Sequence, residues 1–209
     1  MYALLERALR ASGIDHEHLE NPADRGDGVL LLFRPHDDVP KTLVLGRLIP
    51  RLAALLVEHN ATATQPDLPL RLRAVFHAGD IHGDGWGFYG EDLDVAFRLL
   101  DSPSVKKALK EEPAFPLVLV ISEEIHNGIV RHGYVDVGPF VRSVRVCVAK
   151  RWRRGWVHFP VPVPGERVLP ASGAMAPLRV PALVIAASPR TSEGAAADEL
   201  ALVSGTAGH

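Results

Sequence analysis

The chain has 209 residues, 47% hydrophobic and 23% charged, a globular composition with enough length for one ordinary domain and its core. A formal net charge of −2 excludes a strong general attraction to nucleic acid or anionic membrane. One cysteine excludes an internal disulfide framework, and no window approaches the roughly 18–20 apolar residues of a membrane span.

At the N-terminus, Tyr2, Leu4, Leu5, Ala8 and Leu9 recur at helical spacing, which predicts an amphipathic helix over 1–11 stopping near Gly13. Glu6 and Arg7 interrupt this only apolar candidate for a leader, so the cytoplasm is the default compartment, with no membrane partner. A short extended piece near His16–Glu20 leads into Asp24-Arg25-Gly26-Asp27-Gly28, a turn by composition. Val29–Phe33 is apolar at every position, so a hairpin pivoting on Gly26-Asp27 is expected. A helical pattern then runs from about Pro40 to Asn60, kinked or divided at Pro50.

Leu70–His77 sets Leu70, Leu72, Ala74 and Phe76 against Arg71, Arg73 and His77, a strand with two unlike faces. Gly79–Gly90 reads as loop with a short strand near Trp86–Tyr89, followed by helices over 92–100 and 104–112. Leu117–Ile121 is a further apolar strand, and Ser122 is placed to cap a helix over 123–130. Tyr134–Val137, Val141–Val148 and Trp156–Phe159 read as closing strands, the last two joined by a basic hairpin. Cys147, in an alternating apolar stretch, is expected as a buried, inert thiol. From Pro160 the composition turns to Pro, Ala, Gly and Ser. The expected organisation is therefore a domain over 1–160 and a mostly disordered tail over 161–209, with Val180–Ala187 too isolated to build a core. The element order suits an α+β sandwich with a mostly antiparallel sheet and helices on one face.

Three segments carry a family resemblance. They are Arg25-Gly26-Asp27-Gly28 with the apolar run to Phe33, Leu72-Arg73-Ala74-Val75-Phe76-His77-Ala78-Gly79-Asp80, and Gly90-Glu91-Asp92-Leu93-Asp94-Val95-Ala96-Phe97-Arg98-Leu99-Leu100. In order and spacing they resemble the catalytic domain of class III nucleotidyl (adenylate/guanylate) cyclases, over about 1–159. The resemblance implies a ferredoxin-like palm and a homodimer, because family sites form between two subunits. It also implies Mg²⁺ or Mn²⁺ in the active members, which activates a ribose hydroxyl and neutralises phosphate charge on a nucleoside triphosphate. Asp27 then matches a metal carboxylate, the alternative being an ordinary turn aspartate. Arg98 matches the arginine that neutralises the reacting phosphate, the alternative being a surface helix pair with Asp94 or Asp101. Lys150, in the terminal hairpin, matches a phosphate-binding lysine or is a solvated hairpin cation.

The departures point away from turnover. Asp94 stands where the family has a ribose-orienting asparagine, and adds negative charge beside a triphosphate. Ala23 and Gly87 fall where purine-reading residues belong. The family's second metal carboxylate sits on a central strand ahead of the first helices, and that strand is missing from 1–160. Two other constellations stand beside the resemblance. His77, Asp80, His82 and Asp84 have types and spacing that could bind a metal. Lys150, Arg151, Trp152, Arg153, Arg154 and Trp156 interleave cations with rings, which suits an anion or single-stranded nucleic acid, though the net charge makes nucleic acid an unfavoured partner. The expectation is a degenerate cyclase-like signalling domain that binds a nucleotide or partner. An active metal-dependent cyclase and an anion- or nucleic-acid-binding module are the alternatives.

Overall fold

The computed structural model describes residues 1–20, 23–24, 28–62, 69–162 and 180–187. The helix α1 (Tyr2–Ala11) buries Leu4, Leu5, Ala8 and Leu9 and ends where Gly13 turns to a φ of +71°. One 3₁₀ turn at His16–His18 follows, in place of extended chain. Strand β1 (Ala23–Asp24) pairs antiparallel with β2 (Gly28–Leu32), so the expected hairpin forms, while its turn at 25–27, including Asp27, lies outside the described residues.

A continuous rod comes next: α2 (Lys41–Leu43), a π turn at Val44–Leu48, and α3 (Ile49–Thr62). Pro50 explains the π turn. Proline has no N–H to donate, and its ring crowds the carbonyl four residues back, so the wider turn takes up the misfit without breaking the rod. Strand β3 (Leu72–Gly79) leads to a small hairpin of β4 (His82–Gly83) and β5 (Phe88–Tyr89). Helices α4 (Glu91–Asp101) and α5 (Pro103–Glu111) then return the chain to β6 (Leu117–Ser122), parallel to β3. After α6 (Glu123–Gly128), residues 134–140 form no strand, and β7 (Arg142–Val148) and β8 (Arg151–His158) close on a tight Ala149-Lys150 turn, both residues at positive φ.

The last strand, β9 (Val180–Ala187), is the largest departure from the sequence reading. It is inserted between β2 and β3 in a seven-stranded sheet of order β1-β2-β9-β3-β6-β8-β7, antiparallel to both neighbours. The isolation expected for 180–187 is therefore incorrect. Ala182, Leu183, Val184 and Ile185 are buried between the two layers of helices, and the strand takes up the facing edges of β2 and β3. A short apolar run that builds no core of its own can complete a core that others supply.

The expectation of helices on one face is also corrected. Leu31, Phe76, Leu119 and Ile185 meet α1, α3 and α6 on one side, whereas Leu30, Val75, Val120 and Val184 meet α4 and α5 on the other. Strands apolar at every position, such as β2 and β6, need cover on both faces. The result is a mixed α/β domain in three layers with a mostly antiparallel sheet. Cys147, expected to be buried, lies exposed on the outer strand β7.

Removing residues 163–209 would uncover two sheet edges and both core faces, so that truncated chain is expected to be insoluble or to lose its cooperative thermal transition. Within β9, Ile185→Ala should cost about 2–5 kcal/mol in urea unfolding; a change below 0.5 kcal/mol would remove β9 from the core.

Candidate functional site

Two buried charged residues on β3 hold α4. Arg73, 4% exposed, donates from Nη1 to the Leu100 carbonyl (3.2 Å) and to Asp101 Oδ1 (3.1 Å), at the C-terminal end of α4. His77, fully buried four residues further on, meets Asp92 in the first turn of α4. The strand from 73 to 77 spans about 13 Å, and the helix from 92 to 101 about 13.5 Å. The two contacts therefore fix the helix antiparallel to the strand at both ends.

The His77 end is the more elaborate. Its Nε2 lies 3.5 Å from Asp92 Oδ1, and its Nδ1 lies 3.2 Å from Glu124 Oε2 at the start of α6. Both are ion-pair distances, and neither contact has hydrogen-bond direction. Burial pushes the ring toward neutrality, but the two carboxylates outweigh it and hold its pKa above the ordinary histidine value. Asp92 is lowered, chiefly by His77, with the Asp80 N–H donating to its Oδ2 at 2.7 Å. Burial raises the Glu124 carboxyl, and the His77 ring more than reverses this.

Glycine is required here. A Cβ on Gly79 would stand 2.2 Å from the Asp92 carboxyl, so only a bare backbone lets that side chain fold against the strand end. Gly90, the residue ahead of α4, has a φ of +141°, open to glycine alone at little cost. Beside the triad, Asp80, His82, Gly90, Glu91, Asp92 and Arg153 line an open cleft of about 270 Å³. Arg153 Nη2 donates to Glu91 Oε1 at 2.5 Å, which raises the guanidinium pKa further.

The residues singled out from the sequence are distributed as follows. Asp94 and Arg98 are exposed, one turn apart on the outward stripe of α4. Gly28, where the chain leaves the Asp27 turn, aligns through Ala186 with Arg73, at the end of β3 where α4 finishes. Lys150 sits at the tip of the β7–β8 turn, beyond the opposite end of β3. The Arg153–Glu91 pair separates it from Arg98 by about 10 Å of strand on one side and about 10 Å of helix on the other, so one chain does not bring these two cations together. The His77, Asp80, His82 and Asp84 set does not converge either: His77 faces Asp92 and Glu124, and Asp84 Oδ1 accepts the Trp86 and Gly87 N–H groups. In the basic hairpin, Arg153 is held by Glu91, Trp156 stacks on His126 at 3.9 Å, and Arg154 lies 5.8 Å over Trp156.

Asp92 and Glu124 escaped the sequence reading. Both follow a strand and stand in the first turn of a helix, where acids are common because they complement the helix dipole. That pattern alone does not reveal a shared histidine. Ser122 holds the N-cap position of α6, but its hydroxyl makes no capping hydrogen bond.

No protein-family model, no curated protein and no solved structure matches this chain. Among the described residues, no helix is long and apolar enough to cross a membrane. Fold and site together define a three-layer α/β domain with a buried histidine between two half-buried carboxylates at the carboxyl ends of its parallel strand pair.

Replacing His77 with Gln should cost about 3–5 kcal/mol near pH 6, since it leaves two carboxylates without their cation. The raised His77 pKa stabilises the fold fully below the unfolded value of about 6.5 and loses effect as pH rises through the folded value. The lowered Asp92 and Glu124 values stabilise it above their unfolded values of about 3.9 and 4.3, and that effect fades as pH falls through the folded ones. Urea unfolding should therefore show the largest gap between wild type and His77→Gln at about pH 5–6.5, narrowing toward pH 9. A gap independent of pH would show that the ring is not held as a cation.

Proposed function

We propose that this chain is a nucleotidyl-cyclase-like domain that binds a nucleoside triphosphate, in a signalling role, without turning it over. Strand order supports the cyclase-like part. Strands β1, β2, β9 and β3 lie side by side, with α1 and α3 packed together on one face. If β9 is counted first, this is the β-α-β-β-α-β order of a ferredoxin-like palm. The observation that carries the second part is the composition of β9. It lies between β2 and β3, where the cyclase reading would put the family's metal-bearing strand, and Val180–Ala187 contains neither Asp nor Glu. With Asp27 as the one matching carboxylate, a two-ion site lacks half of its anionic ligands.

For binding, Arg98 offers an exposed guanidinium on a helix clamped at both ends, so little side-chain support has to be ordered when a phosphate arrives. Asp94, one turn earlier, can accept a ribose hydroxyl. The family arrangement would assemble this surface with the Asp27 hairpin of a second copy, so the proposal includes a homodimer. The basic hairpin is a weaker anion site, because Arg153 is already tied to Glu91 and Arg154 lies over Trp156.

Purified protein incubated with ATP or GTP and Mn²⁺ is expected to yield no cyclic product, while calorimetry detects nucleotide binding. Arg98→Ala should weaken that binding roughly tenfold or more. Cyclic product abolished by Asp27→Asn would replace this reading with an active cyclase. Binding indifferent to Arg98→Ala, or lost only in Arg151→Ala, would end it in favour of the basic hairpin.

A further inference from the structure

The segment leaving α1 and the segment leaving β2 run side by side at the far end of β2 from the Asp27 turn. Leu19 bridges Phe33, the Arg34 N–H donates to the His18 carbonyl at 2.7 Å, and the Glu20 N–H donates to the Leu32 carbonyl at 2.9 Å. The Arg34 guanidinium donates to both carboxylate oxygens of Glu20, at 3.0 and 3.3 Å, and fixes the register from outside. This pairing brings two imidazoles into contact: the His18 and His36 ring centroids are 4.7 Å apart, tilted by 46°. Each ring also has a carboxylate beside it, with His36 Nδ1 3.3 Å from Asp38 Oδ2 and His18 Nε2 3.7 Å from Glu17 Oε1.

One donor atom from each of His18, His36 and Asp38 lies within 4.8 Å of the other two, and the same is true of Asp15, Glu17 and His18. These are the two such groups among the described residues, and they share His18. His18 is 9% exposed and its backbone carbonyl is bound, so it is the fixed member. His36 and Asp38 are exposed on a turn, where the Asp38 N–H donates to His36 Nδ1 at 3.3 Å. Burying one basic ring against another gains nothing in packing that an apolar side chain would not give. Two imidazole nitrogens with carboxylate oxygens are, however, the donor set of a zinc-type ion. Bonds of about 2.0–2.1 Å in a tetrahedral site put ligand atoms about 3.3 Å apart, which rotation of the two exposed side chains can reach from the present spacing.

We infer that His18, His36 and Asp38 form a site for a zinc-class divalent cation, with water completing the set. The ion would staple the exit of α1 to the loop ahead of α2, across the end of β2. This site is independent of the nucleotide reading. Phe33, next to it, follows Leu32, which aligns through Ala182 with His77, whereas Gly28 aligns through Ala186 with Arg73 at the other end.

The test uses the full chain, stripped with EDTA and dialysed. Titration with Co²⁺ should give the visible d–d bands of a tetrahedral ion at one equivalent, displaced by Zn²⁺, and calorimetry with Zn²⁺ should give the same stoichiometry. At a hundredfold excess over Kd, Zn²⁺ should raise Tm by roughly 5–10 °C. His36→Ala and Asp38→Asn, both at exposed positions, should fold normally by circular dichroism, lose at least about tenfold in affinity, and show a correspondingly smaller rise in Tm. His82→Ala, on the β4–β5 hairpin, should bind as wild type does. Absence of saturable binding, or equal affinity in wild type and His36→Ala, would overturn the site.

Discussion

The two-point attachment of α4 to β3 sets the geometry on which the rest of the molecule relies. Arg73 and His77 point to the same side of the sheet, and the helix above them has its partners nine residues apart, at nearly the same linear separation. A helix held only by Leu93, Ala96, Leu99 and Leu100 could slide or rotate by part of a turn at modest cost, since apolar contacts are non-directional. Charged anchors at both ends remove that freedom. They also fix what the outward stripe presents, namely Asp94 and Arg98, and they draw α6 into the same arrangement through Glu124.

An ion pair around a buried histidine is a poor source of stability, because desolvation offsets most of the attraction. Its advantage lies in direction. His77 has carboxylates at both nitrogens, from two helices that begin after different strands, so the ring fixes the starts of α4 and α6 relative to β3 and to each other. Gly79 fits the same arrangement: its missing side chain makes room for Asp92. The strand end that the sequence shows as His77-Ala78-Gly79 is therefore a receptor for the next helix.

Much of this was legible in the sequence, and what was missed has physical causes. Periodicity located α1, the rod of α2 and α3, β3, α4, α5 and the terminal hairpin, since each carries a clear apolar pattern with glycine or proline at or near its limits. The polar face of β3 was legible as well, although periodicity did not tell solvent from a helix with charged ends. Position within the sheet was hidden: nothing local to Val180–Ala187 shows that it pairs with residues more than a hundred positions earlier. Cys147 was misread because an alternating edge strand resembles a half-buried inner one until its neighbours are known. At the triad, residue types were visible and partnership was not, because acids in a helix's first turn need no partner to be favourable.

Strand β9 also bears on evolution of chemistry in such a fold. A strand flanked on both edges and covered on both faces is under strong pressure to be apolar, and Ala182 to Ile185 meet that demand fully. A carboxylate there would have to stand at a strand end open to solvent and ions, or carry a large desolvation cost. Where a metal site keeps such a residue, the bound cation offsets that cost; where it does not, selection on stability alone favours alanine, valine and isoleucine. Val180–Ala187, with neither Asp nor Glu, carries no such cost.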